Sequence, residues 1–213
     1  MRKNIIPIIL LLFLAIHEQT VYSQTINDMF KSMPAELLPG VSEGNKTMLI
    51  VDTAQATVPY IFGEIQKVKH ISSYLKIKTS EVCNTQIKLL PVTEDSLIIA
   101  VIKTVCGGPN TDVCNSIVSF YNNEWEEMDN QTFIHTISPE MFMDSSKKES
   151  DNYKYALSLP DIYPISATFD ETSTDLTLTF NYKERLTDLQ IKEFETYLID
   201  DKLLLKWNGS NFK

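Results

Sequence analysis

Five strand-like segments in one unbroken run, from residue 62 to residue 122, constrain this chain more than any other feature. They are "EIQKVKHI", "SYLKIKTS", "NTQIKLLPV", "SLIIAVIKTV" and "NSIVSFYN". Only short polar breaks separate them. Parallel neighbours need crossovers of roughly a dozen residues, so this spacing predicts an antiparallel meander. "SLIIAVIKTV" is apolar at nearly every position until Lys103. A strand of that texture predicts a central position with cover on more than one side. "TEDS" (93–96) reads as a four-residue hairpin loop between two of the strands.

The flanking segments add helices. Ile26, Met29, Phe30, Met33, Leu37 and Leu38 recur at helical spacing, with Asn27 or Asp28 as caps and Pro34 dividing the run into two short pieces. The 45–56 segment is open between helix and strand, because the apolar run Met48 to Val51 fits either. "DSSKKESDNYK" (144–154) lacks apolar periodicity and reads as a polar surface loop. Beyond it, "PISATF" and "DLTLTF" alternate around "DETST" as a second hairpin. "LTDLQIKEFETYL" then reads as a helix with a Thr187–Gln190 capping box, and "KLLLKW" as a closing strand. The expected fold is α+β: an antiparallel sheet meander with helices packed on one side, its two halves sharing a loose strand-rich texture. The expected organisation is a leader at 1–23, a helix-plus-meander half at 24–143, the loop at 144–154, and a hairpin–helix–strand half at 155–213.

The leader reading rests on "MRKN", the twelve-residue apolar run "IIPIILLLFLAI" and the polar exit "HEQTVYS". That order is the pattern of a secretory signal peptide, with cleavage after Ser23. The run falls short of the roughly 20 residues a spanning helix needs, so no membrane span is expected after cleavage. The whole chain carries −9, and losing Arg2, Lys3 and Glu18 removes a net +1, leaving −10. A protein so acidic is unsuited to nucleic acid, which demands a basic surface.

Export places Cys83, Cys106 and Cys114 where disulfides persist. An odd count leaves one thiol over. Cys106 and Cys114 flank the loop "GGPNTDV" at matched strand ends, which favours a disulfide between them. The rival is Cys83 with Cys106, because a four-residue "TEDS" loop pairs Val92 with Leu97 and sets those two cysteines opposite each other.

A search for chemistry excludes more than it finds. There is no G-x-S-x-G elbow, no H-E-x-x-H, no C-x-x-C and no Gly-rich phosphate loop. His70 and His135 are the histidines left after the leader, each isolated. No catalytic residue, metal ligand or cofactor is expected, and the chain reads as a non-enzyme. Tyr121 and Trp125, in "SFYNNEW", are the densest aromatic cluster and the best sequence candidates for a binding ridge, with core packing as the competing reading.

"MFKSMPAELLPGVSEGNKTMLIVD", "IKLLPVTEDSLIIAVIKTVCGG" and "LKWNGSNF" together resemble a family of small exported proteins of unknown function from Bacteroidales bacteria. The resemblance implies a periplasmic, outer-surface or secreted location, and a helix over the 45–56 segment. It transfers no active-site residue. Cys83 and Cys114 depart from its pattern. Asp52-Thr53-Ala54 and Asp95-Ser96-Leu97 look like the O-glycosylation acceptors of exported Bacteroidales proteins, with Ser96 favoured over Thr53 because it lies in a hairpin loop. The function expected is a binding or accessory module of the cell envelope that recognises a protein or glycan partner. A structural or assembly component of the envelope, or a carboxylate-based hydrolase, are the alternatives.

Overall fold

The computed structural model describes residues 24–51, 56–61, 63–94, 96–108, 111, 113–150, 152–160 and 164–213. The leader and Thr53 lie outside the described residues. Helix α1 (Ile26–Ser32) opens the described chain. Its cap is Thr25 rather than Asn27 or Asp28: the Thr25 hydroxyl accepts from the Asp28 N–H, and the Asp28 carboxylate answers the Thr25 N–H. That reciprocal pair satisfies two amides the helix leaves unpaired. After Pro34 the chain makes a turn rather than a second helical piece. Helix α2 (Glu43–Ile50) is capped by Ser42 and makes residues 45–50 of the ambiguous segment helical.

Seven antiparallel strands follow: β1 (Thr57–Tyr60), β2 (Gly63–Ile71), β3 (Tyr74–Lys78), β4 (Cys83–Thr93), β5 (Ser96–Cys106), β6 (Cys114–Tyr121) and β7 (Glu127–Met128). They lie in the sheet in chain order, the meander expected from their spacing. After the short helices α3 (Asn130–Phe133) and α4 (Tyr153–Ser158), strands β8 (Ile165–Phe169) and β9 (Leu176–Phe180), helix α5 (Asp188–Glu195) and strand β10 (Lys202–Leu205) complete the chain. These three strands form a second antiparallel sheet in the order β10-β9-β8.

Both faces of the large sheet are covered, because β5 is apolar on both. Ile99 and Val101 of β5 pack with Ile87 and Leu89 of β4 beneath Phe30 of α1 and Leu49 of α2. Ala100 and Ile102 point the other way, with Phe120 of β6, into a core closed by Phe169, Phe180 and Phe194. The fold is therefore α+β, as expected, but helices lie on both sides of the large sheet rather than one. The 144–154 segment contributes as well: Asp144 caps a 3-10 turn over Ser145–Lys147, and Tyr153 enters the core. Its polarity reflects capping and turn chemistry. Residues on both sides of this segment share the core between the sheets.

One register detail settles the cysteines. Thr93 pairs directly with Ser96, so the β4–β5 loop is two residues long, not four. Pro91, which has no N–H for the ladder, adjoins a bulge between Pro91 and Thr93. The one-residue shift sets Cys83 opposite Val105, and Cys106 falls on the other face. Cys106 instead faces Cys114 directly across β5 and β6, and the two are joined, with Cα atoms 3.9 Å apart. Cys83 is a free, half-buried thiol. The bridge spans a sequence separation of 8, and a loop of that size corresponds to about 2–3 kcal/mol of chain entropy. Reduction is expected to lower the urea midpoint accordingly; an unchanged midpoint would contradict this.

Candidate functional site

The alternation of β4 places Gln86 and Lys88 on the face that meets the small sheet. Both are about 1% exposed. The strand above them, β8, is an edge strand, whose outer N–H and C=O groups have no partner strand. Side chains of the large sheet supply the missing bonds. Gln86 Oε1 accepts from the Phe169 N–H at 3.1 Å and from the Tyr74 hydroxyl at 3.0 Å, while Gln86 Nε2 donates to the Ala167 carbonyl at 3.4 Å. Ser116 Oγ of β6 accepts from the Ala167 N–H at 2.9 Å and shares a 2.8 Å hydrogen bond with Thr104. Lys88 Nζ donates to the Asp170 and Glu171 carbonyls, each at 3.0 Å, where the chain leaves β8.

Four distant segments meet beside this joint at one end of the large sheet. The β2–β3 turn brings Ser72 and Ser73. The β4–β5 hairpin brings Thr93, Glu94, Ser96 and the apolar side chains Leu89, Pro91 and Leu97. The β8–β9 hairpin brings Thr172, Ser173 and Thr174, and Gln24 and Thr25 stand at the head of α1. Between them lies an open groove of about 540 Å³, with Lys88 in its lining and Asn123 at one side. Among the described residues, the hydroxyls of Ser72, Ser73, Thr93, Ser96 and Thr174 line it with no hydrogen-bond partner. The groove thus offers free donors and acceptors beside an apolar wall, and its volume falls in the range of ligand sites.

Its electrostatics follow from the same joint. Asp170 accepts from the N–H groups of Ser173 and Thr172 and from the Thr172 hydroxyl, which pull its carboxyl down to about 2. Burial pushes the Lys88 ammonium below the ordinary lysine range, partly offset by Asp170 and Glu171. Burial first, then those two acids, pushes the Tyr74 phenol upward. The Asp170 shift makes a pH prediction. A carboxyl held below its ordinary value of 3.8 contributes stability that is present above 3.8 and lost as pH falls toward 2. The Thr172 and Ser173 amides are expected to lose exchange protection over that window, and Asp170→Asn to abolish the dependence. Protection unchanged down to pH 2 would refute the turn's role.

The residues singled out in the sequence fall in different places. Ser96 is exposed and lines the groove. Cys106 and Cys114 close a hairpin elsewhere. Tyr121 and Trp125 are each 7% exposed, 5.5 Å apart between ring centroids, and Trp125 Nε1 donates to the Met29 carbonyl at 3.1 Å. They seat α1 on the sheet, so neither ring forms a surface ridge. Trp125 adopts φ +63°, rare for a bulky residue. His70 Nε2 lies 2.6 Å from Asn27 Oδ1 and His135 is exposed. Among the described residues no group of three or more His, Cys, Asp or Glu side chains could hold a metal ion, and no helix is long and apolar enough to cross a membrane. Sequence reasoning missed Lys88. Its signal was a lysine inside "IKLLPV", flanked by residues that could only be core.

A family model covers residues 18–212. The chain belongs to the DUF3256 family. That family is described as proteins of unknown function, which agrees with the resemblance seen in the sequence. A solved structure, that of a domain of an uncharacterized protein from Porphyromonas gingivalis W83, matches with a TM-score of 0.72 at 21% identity, covering 88% of this chain and 96% of that chain. At that identity the match shows that the DUF3256 fold is shared and no more. Comparison with curated proteins finds no match.

Proposed function

We propose that this DUF3256 chain is an exported, non-catalytic binding module of the cell envelope, and that the groove between its hairpins takes a glycan. The leader-like segment at 1–23 supports export, as does the Cys106–Cys114 disulfide, since such bonds persist in oxidising compartments. One observation carries the ligand reading: free hydroxyls from separate turns converge on one groove beside Leu89, Pro91 and Leu97. A sugar ring has the complementary surface, with hydroxyls at its rim and C–H groups on its faces. A protein partner would instead call for an apolar anchor pocket, and the aromatic side chains Tyr121 and Trp125 are spent inside the core.

The test is binding of an oligosaccharide panel by the disulfide-intact protein, with Ser96→Trp as the blocking variant. Ser96 is exposed as the first residue of β5, paired with Thr93 rather than in the loop itself, so the introduced indole is expected to fill the groove and abolish binding while the circular dichroism spectrum stays unchanged. The bound glycan is expected back intact by mass spectrometry. Binding that survives the substitution would place the site elsewhere, and cleaved glycan would make the protein an enzyme.

A further inference from the structure

We infer that the groove selects a carboxylated sugar, with the Lys88 ammonium as the anchor for its carboxylate. This rests on the glycan reading and specifies its ligand.

Lys88 is about 1% exposed, yet it lines the groove. An ammonium carries three N–H donors. Two are used, on the carbonyls of Asp170 and Glu171. Among the described residues no carboxylate forms an ion pair with Lys88 Nζ, whereas Lys46, Lys69 and Lys183 each have one. The other buried lysines differ: Lys67 Nζ donates to the Val51 carbonyl with no ion pair among the described residues, whereas Lys46 is fully completed. Its Nζ donates to the carbonyls of Lys31 and Met33 and, at 2.8 Å, to the Glu43 carboxylate. Lys88 has the carbonyl pair without the carboxylate.

The acids near Lys88 are committed to other partners. The Asp170 carboxylate is held by the amides of its own turn, and Glu171 pairs with Lys69 at 2.7 Å. Glu94 stands exposed at the hairpin tip. Asp170 and Glu171 offset the burial of Lys88 only in part, and a buried cation with no carboxylate in contact is costly. Nζ also lies 5.3 Å from the centroid of the Tyr74 ring, and a ligand carboxylate would supply the third acceptor and a contacting counter-charge, in a charge-assisted bond stronger than a neutral one. The free hydroxyls of Ser72, Ser73, Thr93 and Thr174 line the same groove as Lys88, so the ligand that carries the carboxylate is a hydroxylated one. A uronic acid residue has this chemistry.

The experiment is titration calorimetry of the disulfide-intact protein with uronic-acid oligosaccharides, their carboxyl-reduced neutral counterparts and their methyl esters. The acidic forms are expected to bind at least about tenfold tighter than either uncharged form, the change one charge-assisted bond produces. In Lys88→Met, the acidic forms are expected to bind no better than the neutral ones. The methyl esters make the same comparison on unaltered protein, so the test holds even if Lys88→Met does not fold. Equal affinity for acidic, neutral and esterified sugars would overturn the Lys88 anchor and leave the glycan reading standing. Binding of none of them would overturn both.

Discussion

Replacing Gln86 with leucine is expected to destabilise the protein by about 3 kcal/mol or more. The amide is buried and makes three hydrogen bonds, two of them to the backbone of β8. Leucine has similar bulk and fills the space, so the loss is not one of packing. The Tyr74 hydroxyl, the Phe169 N–H and the Ala167 carbonyl would each lose a partner where water cannot replace it, and each such orphan costs about 1–3 kcal/mol. Urea unfolding followed by tryptophan fluorescence measures the difference. Ser116→Ala removes only the Ala167 N–H bond and the contact with Thr104, and should lose less, about 1–2 kcal/mol. If Gln86→Leu proves neutral, the two sheets are held by apolar contact alone and the polar joint is incidental.

Phe180→Ala is expected to cost about 3–5 kcal/mol, the range for removing a buried aromatic ring from a packed core. Phe180 ends β9 with 2% exposure. Its ring lies 5.3 Å from Phe142, 5.3 Å from Tyr182 and 5.7 Å from Phe194 between centroids. These neighbours come from the 3-10 turn at Pro139–Phe142, from the segment after β9 and from α5. Elements that far apart in the chain cannot all collapse into the vacated space, which places the substitution toward the upper end of the range. Thermal unfolding by calorimetry should show a lower midpoint with the transition still cooperative. Separate transitions for residues before and after the 144–154 segment would show that the shared core does not couple them.

How much of this was legible in the sequence depends on whether the determining contact is local. The strand order was readable because each strand of the meander pairs with its chain neighbour, and the apolar texture of "SLIIAVIKTV" announced cover on both faces. The Thr187–Gln190 capping box was readable because it spans a single helical turn. Gln86 and Lys88 were not legible, for a physical reason. They alternate with Ile87 and Leu89, and alternation in a strand suggests that the polar face meets water. Here it meets the exposed edge of another strand, β8, about eighty residues later in the chain. The bulge beside Pro91 was equally hidden, and a single extra residue decided which cysteine is left unpaired. Tyr121 and Trp125 illustrate the opposite limit: an aromatic cluster has the same sequence appearance whether it seats a helix or greets a partner. The groove itself draws on Gln24, Ser72, Thr93 and Thr174, and no short motif could connect positions so far apart.

The groove reading has one direct test, amide shift perturbation in ¹⁵N-labelled protein titrated with a bound oligosaccharide. The expected shifts cluster at Ser72–Ser73, Thr93–Leu97 and Thr172–Thr174, the three turns that meet over Lys88. The hollow beside the disulfide, lined by Lys76, Asn84 and Gly108, should remain unmoved. Shifts centred on that hollow, with the three turns silent, would contradict the assignment of the site.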